Sequence, residues 1–193
     1  MLYPVLVAKV HIRLLVGSAF LTTGIGSYLA SQVTSETVGA HFLPSLILLG
    51  IGTTYSAIPL QQAAISAVPV DDAGEATSIF NVGRNLGGSI GLAVIASLLD
   101  QRLELHRWRL HSSVPANDPE AATRLHELAM AGGGTPEALD GAYRMFDALV
   151  AREAMVMAFG DIFMVLAMAS FLSLPLVMLL RPIDPERAQG MMH

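Results

Sequence analysis

Long uncharged blocks alternate with short polar ones along this chain, and the alternation sets its plan. Leu14 to Ala30 carries no charge and extends in the same character to about Val33. The polar linker S-Q-V-T-S-E-T-V-G-A-H follows, and then Phe42 to Leu60 is again uncharged and continues through Q-Q-A-A-I-S-A-V-P. An acidic turn, V-D-D-A-G-E, leads into Ile79–Leu99, where Arg84 is the single charge. Each block is long enough to cross the roughly 30 Å hydrocarbon core of a bilayer as a helix. Asp100 to His111 keeps Leu103 and Leu110 in helical register but is densely charged, so the central helix is predicted to emerge from the membrane there. Asn117 to Pro119 can start a short amphipathic helix running to Met130, and A-G-G-G-T-P breaks it. From Glu137 the helical stripe Leu139, Tyr143, Phe146, Val150 runs without a clear boundary into the last apolar block, Ala154 to Leu180.

The pattern predicts an all-α polytopic membrane protein with four transmembrane helices, over 14–33, 42–65, 77–99 and 154–181, and a helical insert over 100–153. Segments 1–13 and 182–193 flank them. Composition agrees. Of 193 residues 53% are hydrophobic and 14% charged, whereas soluble domains carry about 25% charged residues. Absence of cysteine excludes disulfides and thiolate metal sites, and a net charge of −5 argues against a nucleic-acid surface. Four spans put both termini on one side. Charge bias does not say which, because the arginines of the insert oppose the few basic residues of the terminal segments.

The central block holds the most distinctive chemistry. Gly83, Gly87 and Gly91 fall at i, i+4 and i+8, with Gly88 beside them, so a neighbouring helix can approach their backbone closely. Arg84 and Asn81 lie near one end of the span, where a charge must face protein, water or headgroups. Arg84 either anchors the span at the interface or acts directly in transport. Asp161 is the one acid well inside an apolar block. It either carries a proton or pairs with a cationic substrate, or else it sits near the outer interface and caps a helix. Gln61, Gln62 and Tyr55 either line a polar cavity or bond neighbouring helices. His106, His111 and His126 match no tight metal-ligand spacing, and no metal or other cofactor is expected. No Ser/His/Asp arrangement suggests hydrolysis, so an enzyme reading has nothing to rest on.

The stretch D-D-A-G-E-A-T-S-I-F-N-V-G-R-N-L-G-G-S-I-G-L-A resembles a signature of the fourteen-span drug:proton antiporter branch of the major facilitator superfamily, the EmrB/QacA type. K-V-H-I-R-L-L-V-G, G-I-G-T-T-Y-S-A-I-P-L, V-P-A-N-D-P and R-E-A-M-V-M-A-F-G-D-I-F-M-V-L-A are similar to further pieces of that family and arrive in its order. The resemblance implies a partial major facilitator fold, namely the last four spans of a transporter in the cytoplasmic (inner) membrane. Both termini would then be cytoplasmic and the 100–153 insert extracytoplasmic. It implies proton-driven export of amphipathic compounds, with the remaining spans or a split subunit as partner and a periplasmic adaptor docking on the insert. Four spans cannot build two rocking bundles, so the chain is expected to be inactive alone. The alternatives are a small membrane protein that packs against another transporter and a non-functional gene remnant.

Overall fold

The structure is a computed structural model and describes residues 12–35, 39–113 and 119–180. Five α-helices follow in order: α1 Ile12–Ser31, α2 Gly39–Ser66, α3 Ala73–Ser113, α4 Pro119–Ala131 and α5 Pro136–Val177. A 3-10 turn at Val70–Asp72 leads into α3, and the described residues contain no strand. Four of the helices are long and apolar enough to cross a membrane. The outer segment of the N-terminal flank (1–11) and the tail beyond Leu180 lie outside the described residues.

Helix lengths divide the molecule into two zones. α1 has 20 residues and α2 has 28, whereas α3 has 41 and α5 has 42. At about 1.5 Å per residue the long pair reach about 60 Å, twice the thickness of a hydrocarbon core. α3 therefore runs unbroken past Leu99 to Ser113, and α5 runs unbroken from Pro136 through Glu153 into its apolar half. No glycine or proline interrupts either junction, so nothing in the backbone asks for a turn. α4 packs against α5. Its end is closed by Gly133 and Gly134 at φ +97° and +70°, which a side chain would disfavour. Thr135 then caps α5, its hydroxyl accepting from the Ala138 N–H at 3.2 Å, with Pro136 in the first turn.

α1 is the hub of the membrane zone, packing on α2 and on α5. Ile12, Val16 and Val177 form a buried cluster, with Phe20, Leu60, Ala63 and Leu180 against it. Arg13 donates from Nε to the Leu180 carbonyl at 2.7 Å, placing a cation where the end of α5 leaves carbonyls without helical partners. Elsewhere the helices approach through glycine. A Cβ on Gly24 would stand 2.8 Å from the Phe171 ring, one on Gly26 2.9 Å from the Leu49 backbone nitrogen, and one on Gly160 3.1 Å from the Ser31 carbonyl oxygen. Gly52 faces Thr23 and the Ala19 carbonyl just as tightly. Pro44, Pro59 and Pro175 lie within helices. Pro59 is fully buried, so its break in the hydrogen-bond ladder is covered by protein.

The outer surface of the bundle is apolar. Leu14, Ile79, Ile90 and Leu92 are each 64–70% exposed, among many other exposed Leu, Ile, Val, Met and Phe side chains. Soluble monomers rarely carry contiguous patches of this kind; a helix surrounded by lipid requires them. Hydroxyls in the spans mostly bond back to their own helix, as Thr22 does to Ser18 O at 2.7 Å and Ser170 to Leu166 O at 2.9 Å, which removes the cost of placing them in hydrocarbon.

Candidate functional site

The residues singled out in the sequence separate into three places. Arg84 and Asn81 lie on the exposed half of α3, together with Gly83, Gly87 and Gly88, while Gly91 is half-buried. A Cβ on any of the four glycines would meet nothing within 4 Å. Arg84 has no hydrogen-bond or ion-pair partner among the described residues. Gln61 and Tyr55 are half-buried on α2, Gln62 is exposed, and Gln61 adjoins Leu60 at the Ile12–Val16–Val177 cluster. Two open hollows along α3 and α5 are lined by other residues.

Asp161 has ion-pair partners across the bundle. It sits in the middle of α5 and so caps nothing. One of its oxygens lies 2.9 Å from His106 Nε2 and 3.6 Å from an Arg102 nitrogen, both on α3. His106 is only 13% exposed, against 47% for Arg102. A second cluster repeats the arrangement further along the same pair of helices. Arg107 reaches Asp147 at 3.4 Å, and His111 reaches the same carboxylate at 3.3 Å. Each aspartate of α5 thus meets an arginine and the histidine four residues beyond it on α3, one turn of helix apart. The lower pair lies just past Asp100, which places Asp161 at the charged margin of the spans rather than at their midplane.

Nothing local in the sequence marks Arg102, Arg107 or Asp147 one at a time, and the spacing of His106 and His111 by itself speaks only to metal binding. The Arg–x3–His repeat on α3 is the signal that could have found them. Their acidic partners, 55 and 40 residues away, are not visible in any local pattern. Among the described residues no group of three His, Cys, Asp or Glu side chains is placed to hold a metal ion. Asp71, Asp72 and Glu75 are exposed at the entry to α3, where the helix dipole favours acids.

Known proteins supply an independent comparison. No family model matches the chain, and no solved structure matches it. Curated relatives do. The colistin resistance protein EmrB of Acinetobacter baumannii is 29% identical over 108 residues, covering 56% of this chain and 21% of that protein. The fatty acid resistance protein FarB of Neisseria gonorrhoeae is 22% identical over 177 residues, 90% of this chain and 34% of FarB. The multidrug export protein EmrB of Haemophilus influenzae is 25% identical over 141 residues, 68% of this chain and 28% of that protein. The chain therefore spans from about a fifth to about a third of the length of these relatives. A multi-pass arrangement of four apolar helices and a repeated likeness to resistance and export proteins meet in one statement: the chain is similar to a portion of the EmrB-type multidrug efflux transporters.

Proposed function

We propose that the chain supplies the last four spans of a proton-driven multidrug exporter in the cytoplasmic membrane and transports nothing until the remaining spans join it. The observation that carries this reading is the state of α3. In its most apolar stretch none of the residues is buried, against 39% in α1. A span that carries an arginine, two asparagines and four glycines gains nothing from leaving most of its surface to lipid. Relatives of which the chain spans about a third or less are long enough to supply such neighbours.

In this reading α1, α2 and α5 form part of one bundle, and transport proceeds as that bundle rocks against a second one around a site near the midplane. Arg84, Asn81, Gln61, Gln62 and Tyr55 supply polar groups toward that site for amphipathic substrates. Asp161, held by Arg102 and His106, belongs to the outer margin. The protruding α3–α4–α5 insert lies on the extracytoplasmic side, where its exposed Trp108 gives a periplasmic adaptor something to grip. The same bare face of α3 favours one other reading, a small integral membrane protein that packs against a separate transporter. Expressing the chain with and without the missing spans, and measuring drug accumulation, tests both. Export only from the combined spans supports the transporter reading, and export from the chain alone contradicts it. If the chain instead alters the activity of an already complete transporter, the packing reading takes its place.

A further inference from the structure

One stripe of α3 runs Phe80, Arg84, Gly87, Gly91, Ile95, Leu98, Arg102, His106 at steps of three or four residues, so these residues share one side of the helix. Its far end faces α5, since Arg102 and His106 bind Asp161. Along the rest, Phe80, Gly91, Ile95 and Leu98 are half-buried, but every residue from Asn81 to Ile90 is exposed. The side that turns toward the chain's own bundle is therefore open over just the segment that holds Arg84. Asn81, Asn85 and Gly88 adjoin the stripe, whereas Ile79, Val82, Leu86 and Ile90 occupy the opposite side. That opposite side suits lipid.

The charge at Arg84 has no answer within the described chain. Aligned on Ile79–Leu99, which at about 1.5 Å per residue matches a layer of about 30 Å, Arg84 stands about 8 Å inside one edge of the span. Asp161 is already engaged by Arg102 and His106, about five to six stripe positions away, and Glu75 lies more than two helical turns below. The glycines tell the same story by comparison within the molecule. Gly24, Gly26 and Gly52 each have atoms of a neighbouring helix within 3.0 Å of where a Cβ would stand, and Gly160 has one at 3.1 Å, while Gly83, Gly87, Gly88 and Gly91 have nothing within 4 Å.

We propose that the Arg84 side of α3 seats a transmembrane helix from outside this chain, and that this helix carries a carboxylate at the depth of Arg84. The proposal rests on the transporter reading above and adds the chemistry of the neighbour. An ion pair in hydrocarbon satisfies both charges, and the glycines let the two backbones come close enough to form it. A lipid phosphate or a second copy of the chain are the competing occupants.

Because the chain has no cysteine, one can be added at its end for a fluorescent donor. The labelled chain is reconstituted in phosphatidylcholine vesicles with an acceptor-labelled leucine–alanine transmembrane peptide bearing one Glu at matching depth, and with its Gln counterpart. Energy transfer is expected to report about tenfold tighter association with the Glu peptide. That preference should vanish in Arg84→Gln and association should fall in Gly87→Leu. Gly141→Leu, equally open but on the protruding half of α5, should behave as the original chain. Unchanged helicity in circular dichroism shows that the variants still fold. Equal binding of the two peptides overturns the proposal. So does self-association of the chain that excludes the peptide, or a preference abolished when phosphatidylglycerol replaces phosphatidylcholine. Drug export is read in the separate assay, so loss of the acid preference with export intact removes the docking proposal alone.

Discussion

His106 and Arg84 show how one kind of contact separates two basic residues on the same helix side. His106 is nearly enclosed and holds Asp161 at 2.9 Å; Arg84 is exposed and has no partner in the described chain. Replacing His106 with Ala leaves Asp161 to a half-exposed arginine. The expected loss is on the order of 1 kcal/mol, seen as a lower unfolding temperature in detergent. In a complete transporter Arg84→Ala should lower efflux more than Asp161→Asn. The reverse order would mark Asp161 as the charge that transport needs. Glycines give the clearest stability contrast. Gly24→Leu must displace the Phe171 ring and is expected to cost about 1–3 kcal/mol. Gly141→Ala meets nothing and should stabilise α5 by about 0.5–1 kcal/mol, a difference that thermal unfolding of the two variants resolves.

Among the elements, the course of the chain was readable where the local code is strong. Charge-free blocks announce the spans, and the absence of any breaker between Leu99 and Asp100 or between Glu153 and Ala154 lets the helices continue. The turn at Gly132–Gly134 follows from residues that tolerate positive φ. Pairing between elements was not readable in the same way. Gly24 and Gly26 look no different in sequence from Gly83 and Gly87, yet only the first two meet a neighbour; close approach depends on a partner far away along the chain. Asp161 is the same case. Its position in an apolar block was plain, but the α3 residues that hold it lie 55 and 59 positions earlier. The paired clusters at Asp161 and Asp147 should keep α3 against α5 outside the spans. Cross-links between cysteines placed near positions 107 and 147 are therefore expected to form readily, and their failure would contradict the seam.

For the whole molecule, the governing fact is the solvent. Its surface of exposed Leu, Ile and Val is stable in hydrocarbon and would aggregate in water. Depth-dependent labelling tests this most directly, since the chain has no cysteine of its own. Single cysteines are introduced at Ile90 in the middle of the α3 span and at Tyr143 on the protruding half of α5, and intact membranes opened to both faces are treated with a membrane-impermeant maleimide. Tyr143→Cys should react fully and Ile90→Cys only after detergent is added. Equal reaction at both positions in the intact membrane would contradict the account.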